Sequence, residues 1–245
     1  MKAIYKRELG SYFTSPIGYV FVAVYLVLSG VLFAYTTLLS AISGGSADIG
    51  TYFTVLICGF SFLLPLLTMR LFADDRRMKT EQLLLTAPVS IGGMVGAKFL
   101  AAYTVFAGTY AVSALDFLLL YIYNDTTGVV TEKNTAMLVG YSIAVLLLGA
   151  AFIAIGVFVS SLTEHQITAV IATIAILAFC LCCGMLNSVI SFAPLRSVLS
   201  WLSIYSRFQN FAYGVFDFNA IIYYLSITFV FLFVTVRVYE KRRWA

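Results

Sequence analysis

The longest uncharged run decides most of what this chain can become. Between Glu8 and Asp48 there is no Asp, Glu, Lys, Arg or His. A helix crosses the hydrocarbon core of a bilayer with roughly 20 apolar residues, so this stretch is more than long enough to span one. Other apolar runs follow, and they place spans near residues 17–39, 52–71, 93–123, 136–162, 166–192 and 219–238. The runs are long and continuous, not short and alternating. That excludes a membrane barrel and leaves helices, which satisfy their own backbone groups in lipid. The expected fold class is all-α: one domain over residues 1–245, a polytopic membrane protein with six transmembrane helices. Composition agrees. The chain is 62% hydrophobic and 11% charged, whereas a soluble domain carries roughly 25% charged residues. Polar groups are too few to cover a water-facing surface.

Lys and Arg set the orientation. With six spans both termini share a side, and that side holds Lys2, Lys6, Arg7, Arg70, Arg76, Arg77, Lys79, Lys98, Arg237, Lys241, Arg242 and Arg243. The other side holds only Lys133, Arg196 and Arg207. The asymmetry predicts a cytoplasmic location for both termini. The net charge of +4 therefore points to anionic lipid headgroups and not to nucleic acid. The first apolar run exceeds the roughly 7–15 residues of a signal-peptide core, so it reads as a retained span. Cys58, Cys180, Cys182 and Cys183 all fall in spans, where reduced buried thiols are expected. No His or acidic residue near the cysteine run completes a metal site.

The connecting segments say more than the spans. In residues 1–15, Tyr5, Leu9 and Tyr12 recur at helical spacing, with Lys2, Lys6 and Arg7 elsewhere. That predicts a short helix lying in the interface. Thr14 or Ser15 can cap the next helix, and Pro16 suits its first turn. Residues 74–90 combine dense mixed charge with the apolar ridge Leu83, Leu84 and Leu85. Thr80 can cap a short helix there with Glu81 at its positive end, and Pro88 closes it. Ser90 can cap the third span. Three leucines outside a span need cover, from lipid or from another protein.

Residues 75–89 resemble the coupling segment of ABC-2-type transporter permeases. That family has an acidic and basic cluster, a Thr near an acidic residue or Gln, a Leu-Leu pair and a Pro. Here Asp75 stands where Glu is usual, and Lys79 where Gly often precedes the Thr. Residues 13–19 (Phe-Thr-Ser-Pro-Ile-Gly-Tyr) and 208–217 (Phe-Gln-Asn-Phe-Ala-Tyr-Gly-Val-Phe-Asp) also resemble the family. They are most similar to its gliding-motility-associated and copper-enzyme-maturation branch.

The resemblance implies a dimer of two permeases, by a second copy or a homologue, above two cytoplasmic ATPase subunits in a bacterial plasma membrane. Asp75, Arg76, Arg77, Lys79, Thr80, Glu81, Leu83, Leu84, Leu85 and Pro88 would face the ATPase. The turn at Glu164 and His165, between the fourth and fifth spans, would touch it as well. The chain has no G-x-x-x-x-G-K-[ST] phosphate loop, so ATP and Mg belong to the partner. No cofactor or catalytic set is expected in this chain itself. In residues 193–217, Leu195, Val198, Leu199, Leu202 and Tyr205 follow helical spacing, which fits one or two short helices dipping back towards the membrane or a simple interfacial loop anchored by Trp201; the resemblance implies the family's external re-entrant segment.

Asp116 is the one carboxylate well inside a span. Intramembrane ionisable groups default to a functional reading. It also lies only about two turns from the outer end of its helix, where water or a Tyr could serve it. Two functions fit this sequence: a permease moving a substrate, most often outward in this family, or a non-conducting membrane machine that passes ATP-driven movement to an extracytoplasmic partner. The interior Ser, Thr, Tyr and Asn residues do not name a substrate.

Overall fold

The computed structural model describes residues 2–39, 49–79, 90–119, 122, 132–186, 204–211 and 217–244. Among the described residues there are helices and no strands. Six of the helices are long and apolar enough to cross a membrane: Pro16–Leu38, Ile49–Arg77, Ile91–Leu119, Thr135–Leu162, Gln166–Gly184 and Phe218–Arg243. The chain is a multi-pass membrane protein.

The N-terminal segment folds as its spacing predicts. Helix α1 runs Lys2–Thr14, and α2 runs Pro16–Leu32 before loosening into a π-helical stretch, Phe33–Leu38. Ser15 is extended and its Oγ accepts the Ile17 amide at 3.2 Å, with Pro16 in the first helical position. The two helices approach closely at this joint. A Cβ on Gly18 would run into the Tyr12 carbonyl, so only glycine lets α1 pass this close to α2.

The second span is two helices end to end, α3 (Ile49–Thr68) and α4 (Arg70–Arg77), with a single non-helical residue, Met69, between them. It extends six residues past the expected end at 71, because the charges of α4 find partners within the protein. Helix α4 stops at Met78, and Lys79 then adopts a left-handed backbone with φ 58. The third span, α5 (Ile91–Ser113), begins after Ser90. Ser90 occupies the capping position, yet its side chain makes no capping bond. After Ser113 the chain tightens: Leu115, Phe117 and Leu118 each donate to the carbonyl three residues back.

Helices α6 (Glu132–Leu162) and α7 (Gln166–Leu186) form a hairpin, followed by the short α8 (Ile204–Asn210) and α9 (Phe218–Trp244). Helix α6 is the axis of the bundle and packs on α3, α4, α5, α7, α8 and α9. Its most apolar window is 67% buried, against 17% for α9. Small residues allow the close approach: a Cβ on Gly149 would strike the Phe106 ring, and one on Gly156 the Thr68 side chain.

At the other end an aromatic stack joins α3, α6 and α8. Phe53 stacks on Tyr141 at 4.8 Å and on Phe117 at 5.8 Å, and Tyr141 stacks on Phe208 at 5.2 Å. The Tyr224 hydroxyl donates to the Ile204 carbonyl at 2.9 Å. Helix α8 is thus the described part of segment 193–217, packed inward against the bundle; the rest of that segment, apart from residues 211 and 217, lies outside the described residues.

Candidate functional site

The polar chemistry gathers at the end of the bundle that carries both termini. Its centre is Lys98, two turns into α5 and 1% exposed. Burying an ammonium is costly unless it is paired and hydrogen-bonded. Lys98 Nζ lies 2.6 Å from Asp75 Oδ2 on α4 and 3.2 Å from Glu8 Oε1 on α1, and it donates to the Leu71 carbonyl. The Phe72 ring covers it at 4.9 Å. Arg7 Nη2 reaches the same Glu8 oxygen, Oε1, at 2.6 Å. Arg7, Glu8, Lys98 and Asp75 therefore form an alternating chain of two positive and two negative charges. A cavity of about 230 Å³ adjoins it, lined by Ser11, Tyr12, Arg70, Asp74 and Met78 along with the ionic residues.

Glu8 sits on the inward face of α1, one turn before Tyr12. The Tyr12 hydroxyl donates to the Leu67 carbonyl at 2.8 Å. Burial raises the Tyr12 phenol above its ordinary pKa, with Glu8 adding to the effect, so the group stays a donor. The carboxylate of Glu8 bonded to Arg7 raises the Arg7 guanidinium pKa.

Helix α4 is braced on a second side. Arg70 Nε pairs with Asp74 Oδ2 at 3.1 Å and Arg70 Nη1 donates to Ser15 Oγ, while the Gln166 amide donates to Asp74. Arg76 pairs with Glu164 at 2.9 Å and donates to the Leu162 carbonyl at 3.1 Å. Beneath them, Ser160 Oγ accepts the Phe72 and Ala73 amides at 3.2 Å each and donates to the Met69 carbonyl at 3.1 Å. The first amides of a helix lack intrahelical partners, so this serine from α6 caps α4 across the bundle. Arg242 of α9 donates to the Ser161 carbonyl at 2.9 Å.

The residues expected to face an ATPase therefore divide. Asp75 points inward to Lys98, Arg76 reaches across to Glu164, and Arg77 and Lys79 are exposed. Glu164 and His165 are exposed in the α6–α7 turn, directly beside α4. Thr80, Glu81, Leu83, Leu84, Leu85 and Pro88 lie outside the described residues. Asp116 lies at the other end of the bundle, in the tight turn after α5. It faces Ser29, with Tyr25 and Tyr52 in electrostatic reach. Neither Ser29 Oγ nor Tyr52 Oη closes a well-formed hydrogen bond.

Glu8, Ser160 and Gln166 carry no motif, and Arg242 stands out in the sequence only as one of the basic residues that set the orientation. Lys98 reads in sequence as one more basic residue near a helix end. The rule that singles out Asp116 applies equally to Lys98, a lone charge in the apolar run 91–115. Asp75, four residues before Lys79 in the recognisable segment, is the group that explains its burial. Neither a protein-family model nor a curated protein matches this chain.

Proposed function

We propose that this chain is the membrane-spanning permease subunit of an ATP-binding-cassette transporter of the ABC-2 type. A separate cytoplasmic ATPase supplies ATP and Mg, two permease chains complete the pathway, and both termini lie in the cytoplasm of a bacterial cell. Transport runs outward. One observation carries the reading. The second span continues through α4, which precedes residues 80–89 in the chain, and α4 is braced to the Glu164 turn through Arg76. The two stretches that the resemblance assigns to ATPase contact are thus joined at their base by Arg76. A partner pushing on either would move the second span and, through Ser160, the central helix α6.

On this reading, Leu83, Leu84 and Leu85 dock in a groove on the ATPase. Burial of each leucine contributes roughly 1.5–3 kcal/mol when complete, and Arg77 and Lys79 orient the partner more than they tighten it. The test is Leu84→Asp in nanodiscs, with the cognate ATPase identified by co-purification. The permease should keep its size-exclusion profile and either lose the ATPase or uncouple its hydrolysis. Full ATPase retention with normal transport-linked hydrolysis, in a well-folded variant, would refute the coupling role. If the ridge sat in lipid, the same change would weaken membrane packing and spare ATPase binding.

A further inference from the structure

We propose that Lys98 is a positioning residue that makes α1 and α4 one mechanical body, so that the N-terminal helix travels with the segment leading to the coupling loop. Helix α1 packs chiefly on α5 and α2. Tyr12 ties α1 to the end of α3 through the Leu67 carbonyl, and the buried ionic tie of α1 to α4 runs through Lys98. The ammonium holds a carboxylate from each helix, Glu8 at 3.2 Å and Asp75 at 2.6 Å, and also the Leu71 carbonyl of α4.

An apolar side chain from α5 could fill the same space. It could not specify that both helices approach together. A cation shared by two carboxylates does, because moving either helix alone leaves a buried charge short of a partner. The cluster is also neutral as a whole, since Arg7 and Lys98 balance Glu8 and Asp75. The group can therefore shift as a unit without exposing net charge to the low-dielectric interior. The adjoining cavity of about 230 Å³ leaves room for that shift. A charged, hydrogen-bonded hub of this kind supplies geometric specificity where packing alone supplies contact.

The mechanical consequence rests on the permease reading, but the joint motion of the two helices does not. It is therefore tested without an ATPase. Spin labels are placed at Lys6 on α1 and Arg77 on α4, both exposed, in a chain whose four cysteines are replaced, in lipid nanodiscs. Double electron–electron resonance then reads the distance distribution. The informative variant is the neutral triple Glu8→Gln, Asp75→Asn and Lys98→Met, which leaves no buried charge unpaired. With its size-exclusion profile retained, its Lys6–Arg77 distribution should be at least twice as wide as the parent's. An unchanged width in the folded triple variant overturns the proposal, since packing alone would then hold the helices in register.

Should the triple variant not fold, hydrogen exchange on the native protein decides. Amides of α1 and α4 should share one opening transition with the same denaturant dependence. Helices that open independently overturn the proposal equally. Neither result bears on Leu84→Asp, so failure of this inference and failure of the permease reading are told apart.

Discussion

At the scale of single residues, backbone geometry favours the glycine of the resembled family over the residue this chain carries. Lys79 stands where that family often has Gly, and its φ is 58. A left-handed residue just past a helix end is the position that glycine fills without a Cβ penalty. The penalty for other L-residues is roughly 1–2 kcal/mol. Met78 and Lys79 amides still close the last turn, bonding the Asp74 and Arg76 carbonyls at 2.9 and 3.1 Å. Lys79→Gly should therefore keep the fold and raise stability by up to about 1 kcal/mol, seen as a higher Tm in detergent. A lower Tm would mean that the lysine side chain stabilises more than its backbone strain costs. Lys98 teaches the complementary lesson. A charge in an apolar run is explained only by the residues that meet it, and those come from helices 90 and 23 positions away in sequence.

At the scale of elements, α4 is the informative helix. Eight residues with a mean polarity this high would not stand alone as a helix in water. It persists because α6 caps its start through Ser160 and because Arg70, Asp74, Asp75 and Arg76 each find a fixed partner. The pairs are not equal in strength. Glu164 is 67% exposed, so its bond to Arg76 contributes at most about 1 kcal/mol. The two amides on Ser160 are buried, and leaving them without an acceptor costs roughly 1–3 kcal/mol. Ser160→Ala should lower Tm clearly and increase exchange at the Phe72 and Ala73 amides. Ser161→Ala is the control. Its hydroxyl donates only to Phe158 of its own helix, at 2.6 Å, so its loss should change Tm little. Equal effects from the two would show that Ser160 is no more than a packed serine.

At the scale of the molecule, the basic end holds the ionic platform and the opposite end holds the aromatic stack with Asp116. Helices α2, α7 and α9 are the least buried spans, and their exposed Val, Ile, Leu and Phe side chains present apolar surface outward. Lipid or a second copy of the chain would cover such surface in a membrane. The proposed orientation puts the ionic platform in the cytoplasm. Single cysteines placed at Lys79 and at Arg207, in a chain lacking its own thiols, test this on intact cells. An impermeant maleimide should label position 207 and spare position 79. The reverse pattern would invert the topology and remove the ATPase-facing role of α4.

The number of spans, the helix over residues 2–14 and the Ser15–Pro16 joint were legible in the sequence, because each rests on local physics. A long apolar run must become a helix in lipid, helical spacing marks the inward face of α1, and Ser followed by Pro starts a helix wherever the chain allows one. The extension of the second span through Arg77, the burial of Glu8 and Lys98, and the cap from Ser160 were not legible. Each depends on what a distant helix presents at one point in space. Asp75 shows the division most clearly. Its place in a recognisable segment was visible from the residues around it, and its sequence neighbours suggested a surface charge. Only the tertiary fold lets the Lys98 side chain of α5 reach it at 2.6 Å, because a buried cation must find its counter-charge wherever the fold puts one.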